Sequence, residues 1–168
     1  MRPFSFVGIK MKLTQNFSLK EMTFSDTAIR KGIDNTPNME HVVALTNLCC
    51  HILQPVRENF GQSVNINSGY RSVQLCEAVG SSAKSQHTKG EAADYEIYGM
   101  SNWDLATWVY ENLDYDQLIL EFHDPESDPN SGWVHTSYRR DGQNRKQALI
   151  INAKTKGKYL EWNPGKKK

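Results

Sequence analysis

The sequence predicts an α+β fold, a small single domain in which N-terminal helices pack on a mostly antiparallel sheet. Three observations predict it. Apolar residues at positions 42, 45, 49, 52, 53, 56 and 60 repeat with a helical period, whereas after Asp114 the pattern changes to that of strands. The chain has 168 residues, enough for one domain with its own core and too few for a second enzyme-sized domain. Its composition, 38% apolar and 23% charged with 4 Trp, 7 Tyr and 6 Phe, excludes a disordered or low-complexity chain.

The elements follow in order. Ser18 and Glu21 form a capping box that starts a short helix. Thr36 is placed as an N-cap with Pro37 at the first helical position and Glu40 in the first turn, which opens the longest helix, residues 37–60, with a kink at Pro55. Cys49, Cys50 and His51 sit on this helix about 100° apart in succession and cannot converge on one ion. Cys49 reads as core filler and His51 as a surface or boundary residue. Residues 64–67 alternate as a strand, Ser68-Gly69 turns, and residues 73–79 form a helix ended by Gly80. Residues 92–97 are a further strand, and Ser101 to Asp104 begin a helix that runs to about Asn112. Residues 117–122, 133–138 and 146–152 are expected as a three-stranded antiparallel meander, joined by a Pro/Asp/Ser/Gly-rich loop at 124–132 and a turn at Asp141-Gly142. The domain is expected over residues 13–153, between a flexible extension (1–12, with Met11 resembling a second start) and a basic tail (154–168).

The net charge of +1 is uneven, because residues 154–168 carry six lysines and one acid while the body from 13 to 153 stands at −7. The tail reads as a solvated terminus, with tethering to an anionic surface as the alternative. An acidic body without a basic-aromatic module argues against a nucleic-acid partner. Three cysteines, two of them adjacent, make no disulfide framework and no Cys-x-x-Cys zinc motif, and suit a reducing compartment. The apolar run from Phe4 to Ile9 is too short for a secretory signal, and no stretch reaches 18 apolar residues, so the expectation is cytoplasmic synthesis without membrane insertion. The protein is expected to act as a monomer.

Chemistry concentrates between Ser85 and Asp94. His87 lies in a polar loop, Gly90 permits a left-handed turn, and the small Ala92-Ala93 pair lets Asp94 enter a strand beside that loop. Imidazole plus carboxylate suits Zn²⁺, whose catalytic sites use three protein ligands. A third ligand is available in Trp133-Val-His135, where Trp133, His135 and Ser137 share one strand face. On spacing alone, a solvated His87 and a hydrogen-bonded structural His135 explain the same residues equally well.

The run Ser68-Gly-Tyr-Arg71-Ser72, then Ser85-x-His87-x-x-Gly90-x-Ala92-x-Asp94, then Trp133-Val-His135, resembles the M15 zinc peptidases, and within them the D-Ala-D-Ala carboxypeptidase-like branch common in bacteriophage genomes. The segments Asn16–Glu21, Gly32–Pro37 and Leu53–Arg57 also read like that branch. The resemblance implies a hedgehog/D-Ala-D-Ala peptidase-like fold and Zn²⁺ held by His87, Asp94 and His135. It implies hydrolysis of peptidoglycan stem peptides, either at a terminal D-Ala-D-Ala or at an internal bond such as L-Ala-D-Glu, by metal-activated water. Such an endolysin-like enzyme would act at the bacterial cell wall after release or from a virion.

Arg71 matches the family's substrate-side arginine, and its planar fork suits a carboxylate or an oxyanion; a turn-pinning role is the alternative. Ser85 would touch substrate or cap its loop. No acid or histidine stands just before His135, so the general base is sought on the preceding strand. Glu121 is one candidate, since antiparallel pairing brings it beside His135, and His123, two positions on, is the other. Trp133, Tyr70 and Tyr95 are candidate subsite walls, with core packing as the competing role. Glu91, Glu126 and Asp128 read as solvated loop charges. Ser81-Ser82, where the family prefers a Gly-rich turn, and Cys76, where it prefers Asn, depart from the pattern. The missing local base motivates a second reading, a catalytically silent relative that binds wall peptides or serves as a virion part.

Overall fold

In the computed structural model, which describes residues 10–165, six strands form one sheet in the order β1-β2-β4-β3-β5-β6. Residues 1–9 of the expected extension and Lys166 to Lys168 lie outside the described residues. The strands are β1 (Asn65–Ser68), β2 (Ala92–Glu96), β3 (Gln117–Glu121), β4 (Trp133–Ser137), β5 (Gln147–Ile151) and β6 (Leu160–Glu161). The helices are α1 (Leu19–Thr23), α2 (Asp26–Lys31), α3 (Met39–Leu48), α4 (Gln54–Phe60), α5 (Val73–Ala78) and α6 (Asn102–Asn112). This is the expected α+β class.

Period-two alternation sorts the two faces of the sheet. Ala93, Tyr95, Leu118, Leu120 and Val134 enter one core with Leu45, Leu48, Ile52, Leu53, Leu105 and Val109 from the helices. The buried Tyr95 hydroxyl is satisfied by Thr136 Oγ1 at 2.8 Å within that core. Asp94, Ile119, Glu121 and His135 alternate with these residues and therefore occupy the face away from the helices.

The last three long strands are not a meander. β3 pairs antiparallel with β4 but parallel with β5, so β3 lies between them. The cause is the segment after β4, which crosses beneath the start of β3 instead of turning back beside β4. Asp116 anchors this crossing: its side chain is inaccessible to solvent and accepts Arg145 Nη2 at 2.6 Å, Nε at 2.9 Å and the Arg145 backbone N–H at 3.0 Å. Burial opposes the Asp116 charge, but the Arg145 bonds outweigh it and hold the carboxyl below its ordinary value of 3.8. Arg145→Ala strands that carboxylate and is expected to cost about 2 kcal/mol. The contribution is complete above the unfolded value and lost as pH falls through the depressed folded value. Urea titrations of the two proteins should therefore diverge above pH 4 and converge in acid; a gap that widens in acid would contradict the assignment.

Pro55 does not simply kink the long helix. A π-helical turn at Cys49–Leu53 precedes it, in which the Gln54 N–H donates to the Cys49 carbonyl. The wider turn accommodates a ring that lacks an N–H and crowds the carbonyl four residues back. The helix also starts later than Pro37: Asn38 Oδ1 accepts the His41 N–H at 2.9 Å while His41 Nδ1 accepts the Asn38 N–H at 3.2 Å, a reciprocal cap that Thr36 cannot match. Cys49 is buried in the core, and His51 is exposed, stacked on Tyr138 with ring centroids 4.3 Å apart.

The basic segment from Lys154 also differs from the expected tail. Leu160 and Glu161 pair with Ile150 and Leu149, and Trp162 enters the core edge-on to Trp103 at 5.2 Å. Packing thus continues past residue 153 as far as Trp162. Gly132 leads into β4 at φ 73, and a Cβ there would overlap the Glu121 carbonyl. Gly132→Ala is expected to cost about 3 kcal/mol through the left-handed backbone and the clash together. A urea midpoint unchanged from the parent protein would refute that.

Candidate metal centre

Asp94 and His135 are direct register partners across β2 and β4, so pairing alone brings their side chains together. His135 Nδ1 lies 2.8 Å from Asp94 Oδ1. His87 arrives from a short 3₁₀ turn, Gln86–Lys89, whose first N–H groups are capped by Ser85 Oγ, 3.3 Å from the His87 nitrogen. Gly90 closes this turn at φ 72, and a Cβ there would stand 2.6 Å from the His41 carbonyl. Only glycine suits both the left-handed backbone and the approach to α3.

The His87 ring is fixed by Nδ1, 2.7 Å from the Gly69 carbonyl. A carbonyl only accepts, so Nδ1 carries the proton and Nε2 keeps its lone pair toward Asp94 Oδ2, 3.3 Å away. One ligand atom from each of His87, Asp94 and His135 lies within 4.8 Å of the others. Burial keeps His87 below its ordinary value of 6.5, with Asp94 opposing, and thus favours the neutral, ligating form. Burial penalises the Asp94 charge, but the His87 and His135 imidazoles outweigh it and hold the carboxyl well below the usual carboxylate range. One nitrogen from each of two imidazoles and one carboxylate oxygen are the donor set that fits a zinc ion.

Arg71 adjoins the cluster. Its Nη2 donates to Asp94 Oδ2 at 3.2 Å, its Nη1 to Ser81 Oγ at 3.0 Å, and its backbone N–H to the His87 carbonyl at 3.1 Å. The guanidinium therefore both pins the turn and brings a permanent charge to the centre; its Nε is buried without a partner. Glu121 pairs with Trp133 in register and reaches His135 diagonally, with Oε1 3.9 Å from His135 Nδ1. Burial, reinforced by Asp94, raises its pKa above 4.5, while His135 and Arg71 pull the other way.

His123 is not brought to the cluster. Phe122 adopts φ 55, which ends the strand alternation, and the His123 ring turns to the Ser131 carbonyl, 3.1 Å from Nδ1, and to Trp103. Trp133 stays on the cluster face, packed on Phe122 with ring centroids 5.1 Å apart, and its indole N–H is buried with no partner among the described residues. Tyr95 is core and Tyr70 is buried against His41, so neither forms a wall. Glu126 is exposed and paired with Lys154, Asp128 is exposed, and Glu91 accepts the Arg140 N–H.

Sequence reasoning missed three contributors: the Gly69 carbonyl, the Ser81 hydroxyl and Tyr159. Ser81 stands at a departure from the family pattern, and that departure supplies an Arg71 partner. Tyr159 lies within the expected tail and could only be found once β6 was known. It shares with His135, Ile119, Ser81, Ser85 and Leu149 an open groove of about 550 Å³ beside the cluster.

A sequence model of the family described as Peptidase M15 matches residues 15–124. That span contains Arg71, His87, Asp94 and Glu121, and His135 lies eleven residues beyond its end. No curated protein matches the chain at a significant level.

Proposed function

The chain belongs to the peptidase M15 family, and on that premise we propose that it is a zinc-dependent peptidase acting on peptidoglycan stem peptides. The finer placement proposed is the D-Ala-D-Ala carboxypeptidase-like branch of phage type, working at the bacterial wall after release or from a virion. One observation carries the reading: three ligand-competent side chains converge on one face of the sheet with a second carboxylate, Glu121, beside them.

His87, Asp94 and His135 would hold the ion. Once bound, it supplies a Lewis acid and a water of lowered pKa. Glu121 takes the proton of the attacking water at its carboxylate and returns it to the leaving amine, a role helped by its raised pKa. Arg71, steered by Ser81 and Asp94, offsets the charge that develops on the carbonyl oxygen. Trp133 and Ser85 flank the peptide. The position of Glu121 supports turnover over the silent-relative reading, whose motive was the absent base. No described helix is long and apolar enough to cross a membrane.

The test is mass spectrometry of products from purified muropeptides incubated with the zinc-loaded protein. One opened peptide bond is expected, named by the fragment masses, together with its loss in His87→Ala. Intact muropeptides, or cleavage that survives His87→Ala, would overturn the proposal.

A further inference from the structure

The groove beside the cluster does not end there. A second hollow, about 590 Å³, lies on the far side of Lys84, Gln86 and Arg145, and these three residues line both cavities. One path therefore leads from His135 past a threshold of two cations into a polar depression. Most charges in that depression are already matched: Arg139 with Asp141 at 2.9 Å, Arg140 with Glu40 at 3.2 Å and Arg145 with Asp116 at 2.6 Å.

The threshold keeps unmatched charge and unused donors. Lys84 makes no ion pair among the described residues, and its backbone N–H is tied to Ser82 Oγ at 3.1 Å, which fixes where its side chain departs. Arg145 commits Nε and Nη2 to Asp116 and leaves Nη1 without an acceptor among the described residues. Asp116 also accepts Gln86 Nε2 at 2.9 Å, which holds the Gln86 amide and the Arg145 guanidinium on one carboxylate. Two cationic side chains with N–H groups free to donate complement a carboxylate.

We propose that Lys84 and Arg145 form an anion subsite that binds a carboxylate of the substrate peptide away from the scissile bond, so that acidic peptides are preferred. This rests on the peptidase reading of the same groove and deepens it. Stem peptides offer two such carboxylates, the glutamyl α-carboxylate and the C-terminus, and the shared chemistry fits either. The attraction acts across an open, wet groove, so it is screened by salt.

The experiment uses the zinc-loaded protein and three forms of the pentapeptide L-Ala-γ-D-Glu-L-Lys-D-Ala-D-Ala: the free acid, the glutamyl α-amide and the C-terminal amide. Both kcat/KM and the binding constant, from calorimetry, are measured at low and at high salt. About a tenfold preference for the free acid over one of the amides is expected, and that amide identifies the carboxylate bound. The preference should shrink in high salt, fall toward unity in Lys84→Gln, reverse in Lys84→Glu and return in Lys84→Arg. Lys84 is varied because replacing Arg145 would also strand Asp116. Equal handling of all three peptides by the parent protein, or a preference that survives Lys84→Glu, would overturn the subsite. Selective binding without turnover would keep the subsite and refute the peptidase reading, turnover without selectivity would do the reverse, and neither binding nor turnover would refute both.

Discussion

Asp94→Ala is expected to yield a folded protein that holds no stoichiometric zinc and releases no peptide product. Asp94 is the hub of the centre: one carboxylate faces His87 at 3.3 Å, His135 at 2.8 Å and Arg71 at 3.2 Å. Its removal takes away one of three donors and also the only negative charge among them. Two imidazoles and a guanidinium would remain, an arrangement that repels a dication. Loss of an outer-shell partner alone costs about 10–100-fold in metal affinity, so loss of this ligand should exceed about a hundredfold. Elemental analysis after dialysis against micromolar zinc reads the occupancy, and circular dichroism reads the fold. Full zinc occupancy in the folded variant would remove Asp94 from the ligand set.

Glu121→Gln should separate binding of the ion from turnover. The amide keeps the size and polarity of the side chain but cannot take a proton. Zinc content and KM are expected to stay near those of the parent, while kcat falls by about 10²–10⁴, the usual contribution of a positioned general base. His123→Gln provides the contrast, since His123 lies under Ser131 and Trp103 and should alter stability more than kcat. If kcat of Glu121→Gln remained within a factor of about three, the proton would have to travel by another group.

The proposed ligands were legible because their signals are local. Ser85, Gly90 and the small pair Ala92-Ala93 describe a capped turn running into a strand, and each does what its chemistry suggests. The strand positions were legible too, because alternation survives wherever one face is buried. Pairing was not. Nothing in residues 146–152 states that their partner is β3 and that the pairing is parallel; that follows from the Asp116 anchor across 29 residues. Trp162 was hidden for a similar reason, since its lysine-rich surroundings outweigh one aromatic in any local reading. His123 misled through backbone geometry: two-residue spacing predicts a shared face only while the strand stays regular, and Phe122 ends it at φ 55. The Asn38 cap was not legible because its partner at the third helical position is a histidine and not the glutamate or glutamine of the usual capping box.

The cross-strand pair of Asp94 and His135 has a kinetic meaning as well. The two residues stand 41 positions apart and meet only when β2 and β4 have paired, a non-local contact whose closure costs chain entropy before any bond rewards it. Unfolded or partly collapsed forms cannot present both donors at once, so affinity for the ion is tied to completion of the sheet. Under this linkage a bound ion would stabilise the native state by mass action, and a chelator would remove that stabilisation without touching any contact of the hydrophobic core. Metal loading thereby becomes a checkpoint on assembly: the chain acquires its reactive centre only after its topology is correct.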